Sequence, residues 1–303
     1  MKFQDAKTLE EKIELMKTLG KKFKERAAQI DEAGAFPFQN IEELVQSGYT
    51  TLVLPKEYGG EEIPLYDLVR LQEEIAKADG STALAIGWHM GIVRHLTETR
   101  PWHESVFKKV ALGIKEGKLL NNAASEPETG SPTRGGKPTT KAEKISEGWL
   151  INGRKSFTSL APMLDYFVVS ATIAETGEVG NFLIRKTLDG VAINETWDSI
   201  AMKGTGSHDL VLTDVLLKEE DLLTIFQPGK KGANGGMLHV PACYLGIAEA
   251  ASEYAVEFAK EYTPNSLNSP IIHLPNVKQK IGEMELLLME SKHFLYSVAK
   301  LWD

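Results

Sequence analysis

Cysteine is the scarcest reactive residue in this chain: Cys243 stands alone among 303 residues. No intrachain disulfide and no all-cysteine metal site can be built from it, and its place on an apolar helical face makes packing its expected role. Such thiol poverty suits a reducing compartment, so a cytoplasmic protein is expected. A basic excess is missing as well. Lys and Arg number 34 against 42 Asp and Glu, a formal charge of -8, which speaks against a nucleic-acid partner. The opening Met1-Lys2-Phe3-Gln4-Asp5 has no apolar signal core, and nowhere do eighteen apolar residues run together, so no membrane segment is expected. What remains is an ordinary composition, 42% hydrophobic and 25% charged, at a length that suggests about two domains.

The first part reads as helix. Leu9, Ile13, Met16, Phe23, Ala27 and Ile30 recur at helical spacing over residues 6–31, and Phe36-Pro37 stops the pattern. A second helix is expected over Gln39–Ser47 with Gly48 at its C-terminal cap. Leu52-Val53-Leu54 then runs into a Gly59-Gly60 turn. Past Pro64, helical spacing returns with Leu68, Leu71, Ile75 and Ala78. Asp79-Gly80-Ser81 breaks it, with Ser81 the expected N-cap of a helix through Trp88 and His89, and a further helix covers Glu104–Glu116. Residues 1–118 thus form an expected N-terminal helical domain.

From Leu119 the pattern changes to short runs of β-branched, aromatic and apolar residues. Strands are expected at Lys141–Ser146, Trp149–Asn152, Arg154–Ser159, Tyr166–Thr172, Asn181–Ile184, Val191–Glu195 and Leu210–Leu217. Glu147-Gly148, Asn152-Gly153, Thr176-Gly177 and Asp189-Gly190 stand between them as hairpin turns. Residues 119–228 therefore predict an antiparallel β domain, sandwich or barrel. A glycine-rich connection, Gly229–Gly236, leads to a partial C-terminal helical bundle over 233–303. Its first helix tolerates Pro241 only in its first turn, and Pro275 starts its second. Both helices carry wide apolar stripes that cannot be buried on each other alone, so further helices or a second subunit are expected to cover them. The fold class is α+β, multidomain.

One stretch organises the rest. Leu119-Leu120 leads into Asn121-Asn122-Ala123-Ala124-Ser125-Glu126-Pro127-Glu128-Thr129-Gly130-Ser131, an apolar strand end opening into a turn rich in small residues, amides and hydroxyls. Such a loop can present backbone N–H groups to a polar ligand.

Four motifs in order resemble the acyl-CoA dehydrogenase family. These are Leu54-Pro55-Lys56-Glu57-Tyr58-Gly59-Gly60 with Ala78-Asp79-Gly80-Ser81; Ser125-Glu126-Pro127-Glu128-Thr129-Gly130-Ser131; Ile151-Asn152-Gly153-Arg154-Lys155-Ser156-Phe157-Thr158-Ser159; and Trp197–Asp209 with its Met202-Lys203-Gly204-Thr205-Gly206-Ser207-His208 core. The resemblance implies an FAD-dependent enzyme that dehydrogenates an acyl-CoA thioester between its α and β carbons, with hydride passing to flavin N5. It places Asn122, Ala123, Ala124, Ser125, Gly130, Ser131, Phe157, Thr158 and Ser159 at the flavin, and Ser131, His208 and Met237 at the substrate. Phe157 would be the aromatic beside the ring, where the family often has tryptophan, and Ser159 the hydroxyl near N5. Ser125 and Ser159 stand where threonine is commoner. The implied partners are electron-transfer flavoprotein or O2 as acceptor, and a second copy of the chain in a dimer or tetramer; no metal is implied.

The departures concern the reaction itself. Abstraction of the α-proton calls for a buried glutamate. The start of the first C-terminal helix, Gly235-Gly236-Met237-Leu238-His239-Val240, offers no carboxylate, and Met237 stands where an arginine is usual. Nor does Glu261-Tyr262-Thr263-Pro264-Asn265 hold the arginine that commonly reaches a partner's flavin. A catalytic base is thus not assigned within 1–303. Two other readings follow: a flavin-dependent monooxygenase of the same fold, using reduced flavin and O2 with His89, Ser159, His208 or His239 near the ring, or a non-catalytic flavin-binding subunit.

Overall fold

The computed structural model describes residues 2–130, 136–226 and 232–303. Five helices come first: α1 (Leu9–Ala33), α2 (Phe38–Gln46), α3 (Leu65–Ala78), α4 (Gly80–Thr99) and α5 (Glu104–Lys115). Helix α1 begins in a capping box, in which Thr8 Oγ1 accepts from the Glu11 N–H at 3.2 Å while the Glu11 carboxylate accepts from the Thr8 N–H. The N-cap of α4 is Asp79 rather than the expected Ser81. Asp79 is extended, and its carboxylate accepts from the N–H groups of Ser81 (3.1 Å) and Thr82 (3.2 Å). A charged acceptor two residues earlier satisfies two orphan donors where a serine would satisfy one. Pro64 cannot cap α3 with a side chain, and the carboxylate of Asp303 does so instead, accepting from Leu65 N at 2.6 Å and Tyr66 N at 2.9 Å.

Helix α4 runs through the core on small and apolar residues, Ala83, Ala85, Ile86, Met90 and Val93, all buried. The two C-terminal helices, α6 (His239–Glu261) and α7 (Pro275–Trp302), pack on α3 and α4, with Pro241 inside the first turn of α6 as its missing N–H requires. Gly246 of α6 rests on the backbone of Glu73 and the methyl of Ala76, a contact that leaves no room for a Cβ. On α7, Leu295 and Ala299 are buried, whereas Leu286, Leu287, Met289, Phe294 and Leu301 face outward. Among the described residues no helix is long and apolar enough to cross a membrane.

Between the two helical parts lies one eight-stranded sheet: β1 (Leu120–Ala123), β2 (Lys141–Ile145), β3 (Gly148–Thr158), β4 (Tyr166–Ile173), β5 (Val179–Arg185), β6 (Val191–Asn194), β7 (His208–Leu217) and β8 (Leu222–Ile225), in the order β6-β7-β3-β2-β4-β5-β8 with β1 also on β4. The expected antiparallel pairing holds for β2–β3, β3–β7, β4–β5, β5–β8 and β6–β7, but the sheet is mixed, because β1 and β2 both run parallel to β4. Turn dipeptides report only local hairpins, and neither parallel pair is joined by one. Strands β1 and β2 share a single edge of β4 end to end: Ala123 pairs with Val169, and pairing resumes at Lys141 with Thr172. The chain between them leaves the sheet and returns to it almost at the same point.

Asn152-Gly153, expected as a turn, lies inside β3. The register with β7 slips there, and Gly153 sits so close to Thr140 that a Cβ would collide with it. The pair lies opposite a bulge whose extra residue is in β7, where Asp214 adopts φ 51° and bonds the Asn152 side chain. Strand β8 carries too short an apolar run to have been anticipated.

Candidate functional site

The excursion between β1 and β2 is tied at its neck by one carboxylate. Glu126 is buried in the break between the collinear strands. Its Oε1 accepts from Lys155 Nζ (2.6 Å), Thr140 N (3.0 Å) and Thr140 Oγ1 (2.7 Å); its Oε2 accepts from Thr139 N (2.6 Å), Thr139 Oγ1 (2.7 Å) and Thr129 Oγ1 (3.1 Å). The first and last turns of the excursion are therefore cross-linked through a single side chain. Burial alone would raise the Glu126 pKa, but the hydrogen bonds from Lys155, Thr139 and Thr140 outweigh it and hold the carboxyl well below its usual range. Lys155 is fully buried, and burial draws its pKa down against the pull of Glu126. Backbone bonds close the turn itself: Glu126 N to Gly130 O at 3.0 Å and Gly130 N to Glu126 O at 2.9 Å, with Gly130 in the left-handed region at φ 67°. Ala124 and Ser125 are left half-buried at its rim, and the Ser156 N–H donates to Ser125 O at 2.8 Å, joining the loop to β3.

The end of β3 supplies the second wall. A further bulge lies between Lys155 and Thr158, and Phe157 within it adopts φ 56°. A left-handed phenylalanine costs about 1–2 kcal/mol. The consequence is a ring turned out of the sheet, 66% exposed, with its edge toward Trp197 at 6.1 Å between centroids. Thr158 points the other way and is buried, its hydroxyl without a partner among the described residues.

Ser159 follows. Its carbonyl accepts from Asn121 Nδ2 at 2.8 Å, which fixes the end of β3 to β1. Its hydroxyl lies 2.8 Å from Ser207 Oγ, which lies 2.8 Å from Thr205 Oγ1, which donates to Met202 O at 3.0 Å. Each hydroxyl has one proton, so the chain has a direction. Thr205 gives its proton to the carbonyl, Ser207 gives to Thr205, and Ser159 gives to Ser207. Ser159 has then spent its proton and is left as an acceptor rather than a donor.

The remaining expected residues fall in several places. Asn122 is exposed on the opposite side of β1 from Asn121 and lines a cavity of about 250 Å³ with Ile92, His95, Leu96, Asn181, Thr224 and Asn234. Ala123 is buried in the sheet. His208 pairs in register with Thr158 and accepts from the Trp197 N–H through Nδ1 at 3.1 Å, and burial lowers its pKa. Met237 is half-exposed in the short turn Gly235–Leu238 that packs against α4 and leads into α6. His89 is wholly buried with Nδ1 against the backbone of Leu120, and burial brings its pKa down to about 4. Ser131 lies outside the described residues. Loop 124–130, Phe157, Ser159 and His208 are thus brought to one end of the sheet, while His89 and Met237 belong to the α4 side.

Sequence reading alone passed over Glu126, Lys155, Asn121, Trp197, Thr205 and Ser207 as functional residues. One signal was present: Lys155 continues the odd-numbered buried series of Trp149 and Ile151, a parity that puts a lysine in the interior and calls for a buried anion.

An exposed flat ring, a half-buried loop of small residues and an oriented hydroxyl fit a planar, hydrogen-bonding aromatic cofactor. Comparison with known proteins agrees with that chemistry. The model of the acyl-CoA dehydrogenase N-terminal domain matches residues 11–99, and that of the acyl-CoA dehydrogenase middle domain matches 121–215. YdbM of Bacillus subtilis (strain 168), whose acyl-CoA dehydrogenase name is itself provisional, is 48% identical over 96% of this chain and 77% of its own length. Butyryl-CoA dehydrogenase from Megasphaera elsdenii superposes with a TM-score of 0.84 at 23% identity, over 99% of this chain and 80% of that one. FMN-bound TdsC from Paenibacillus sp. A11-2 gives the same TM-score at 23% identity, over 95% and 75%. Helical part, sheet and helical part in this order make a flavin-binding fold. The chain belongs to the acyl-CoA dehydrogenase family.

Proposed function

We propose that this chain is an FAD-dependent oxidoreductase that removes hydrogen from the α and β carbons of an acyl-CoA thioester. The observation that carries the reading is the cross-linked loop 124–130 held beside the outturned Phe157 ring. Asn122, Ala123, Ala124, Ser125, Gly130, Phe157, Thr158 and Ser159 would hold the flavin, which when bound supplies a hydride acceptor. Phe157 offers an apolar face, the half-buried loop residues offer backbone polar groups, and Ser159 offers the acceptor that its hydroxyl chain leaves. Glu126 and Lys155 keep the loop in place and need touch nothing else. Ser131, His208 and Met237 would lie toward the substrate. Proton abstraction is not assigned, because the first turn of α6 carries no carboxylate. Electron-transfer flavoprotein is the proposed acceptor, supported by the relative described as a subunit of a caffeyl-CoA reductase-Etf complex. A second copy of the chain is the proposed cover for the outward apolar face of α7.

The test is anaerobic addition of an acyl-CoA to the purified, flavin-loaded protein, followed by identification of the flavin released on denaturation. Loss of the yellow absorbance and release of FAD support the reading; a protein that retains no flavin sinks it. The carboxylate-free start of α6 favours a second reading, a monooxygenase, and one solved neighbour is the dibenzothiophene monooxygenase TdsC. That reading calls for bleaching by a reductase and not by the thioester, then O2-dependent product.

A further inference from the structure

His239, the first residue of α6, is 1% exposed, and neither ring nitrogen has a partner among the described residues. Its ring stands edge-to-face on Trp88 at 4.8 Å and presses into a notch on α4. A Cβ at Gly87 would lie 2.5 Å from His239 Nδ1, and one at Gly91 would lie 3.0 Å from Cδ2. The notch continues a buried polar line: Tyr49 Oη donates to Gln72 Oε1 at 3.0 Å, Gln72 Nε2 donates to Ala83 O, and Gln72 Nε2 also borders Gly87. Every member of that line is paired until it reaches the imidazole. Ile92, which follows Gly91 on α4, and Asn234, whose side chain holds the N–H of Gly236 at 3.0 Å, line the cavity named above. Burial brings the His239 pKa down to about 3, so the ring is neutral and offers one N–H donor and one acceptor.

A buried polar group without a partner is costly, and an apolar side chain of similar size would avoid the cost. We propose that His239 is a specificity-determining residue that hydrogen-bonds a hydroxyl group on the acyl part of the substrate at the α4–α6 seam. This rests on the acyl-CoA reading above. A hydroxyl is both donor and acceptor and matches a neutral imidazole. An unsubstituted alkyl chain leaves both nitrogens unpaired, and a carboxylate would be desolvated beside neutral Gln72 and Trp88 with no cation.

The experiment uses flavin-loaded protein and length-matched acyl-CoA pairs, one member ending in a methyl group and the other in a hydroxyl, in aliphatic and phenolic versions. Binding is read by thermal shift and turnover by anaerobic flavin bleaching. The native protein should favour a hydroxylated member by at least about tenfold, and the version preferred identifies the source of the hydroxyl. In His239→Leu the preference should vanish while the ligand-free melting temperature rises, and His239→Gln should recover part of the preference. Equal binding of both members by the native protein, or an unchanged preference in His239→Leu, overturns the proposal. If no thioester bleaches the flavin, the acyl-CoA reading fails, and the binding arm still decides the role of His239.

Discussion

Removing the cation from the neck of the loop isolates what the buried pair contributes. Lys155→Met keeps most of the side-chain length and takes away the charge, leaving Glu126 ionised in a buried break of the sheet. Removing one partner of a buried ion pair costs about 3–5 kcal/mol. Here the orphan carboxylate keeps five neutral donors, from Thr129, Thr139 and Thr140. Hydrogen bonds to a charged group contribute about 1.5–3 kcal/mol each, so the cost should fall at the low end, about 3 kcal/mol. The converse change is harsher. In Glu126→Gln the amide oxygen can still accept from Lys155 Nζ, but the buried ammonium loses its counter-charge and the amide NH2 meets the donors of Thr129 and Thr139, so the lysine loses its proton or the fold weakens by more than in Lys155→Met. Pairing the two substitutions removes both charges and should recover at least about 1 kcal/mol relative to their sum.

Urea unfolding of the four proteins measures the cycle, and flavin titration of the same samples reads the loop. The variants should lose flavin affinity in the order of their lost stability, because the neck orders the backbone that faces the ring. Two results refute the reasoning. One is a Lys155→Met cost below about 1 kcal/mol, which would place the pair in an effectively solvated setting. The other is strict additivity in the double variant, which would mean that the two charges do not act on one another.

Phe157→Gly should leave flavin-free stability within about 1 kcal/mol, since relief of the left-handed strain offsets the entropy of glycine, yet flavin should be lost on gel filtration; retained flavin would remove Phe157 from the site. Ser207→Ala releases the proton that Ser159 now gives away, so the flavin absorbance or reduction potential should shift, whereas Ser146→Val should change neither; an unshifted Ser207→Ala protein would show that the hydroxyl chain does not reach the ring. His89 and His239 have pKa values of about 4 and about 3 in the fold against 6.5 ordinarily. Below about pH 6.5 the unfolded chain therefore binds more protons than the folded one, and stability should rise with pH from about 4 to 6.5, by up to about 2.7 kcal/mol per pH unit for the two groups. His89→Gln should halve that slope, and a flat stability profile across the window would contradict the burial of neutral rings.

Helix spacing made α1 to α7 legible because each buries a stripe of side chains at a 3.6-residue period. Local chemistry also fixed their ends closely, as at Pro64, Pro241 and Pro275. Strand positions were legible for the same reason at period two. Pairing was not, since the tandem seating of β1 and β2 on β4 depends on contacts that cross roughly thirty to fifty residues of chain and leave no dipeptide signature. Gly153 shows the ambiguity at one residue: Asn-Gly reads as a type I′ turn, yet here it stays in the strand, opposite a bulge in β7 and under the close approach of Thr140. Within the site, the loop and Phe157 were readable through their resemblance to a family pattern. Glu126 and Lys155 were not, because each looks like a solvated charge until the other is placed against it.

That difference separates what holds the cofactor from what selects the reaction. The loop, the Phe157 bulge and the Thr205–Ser207–Ser159 chain all lie at one end of the sheet, and on the proposed reading they would constrain one cofactor surface through backbone geometry and fixed hydroxyls. None of them is an acid or a base at neutral pH. On the proposed reading the groups that would discriminate substrates or move protons come from the α4–α6 seam, where this chain has Gly236, Met237 and the neutral His239, and no carboxylate in the first turn of α6. A dehydrogenase and a monooxygenase can therefore share the sheet and differ at the seam. Changing seam residues should alter which substrate reduces the flavin while leaving flavin retention intact, and changing Glu126 or Phe157 should do the reverse. If His239 variants lost flavin as readily as Phe157 variants, the two surfaces would be one site, and the division of labour between sheet and seam would not hold.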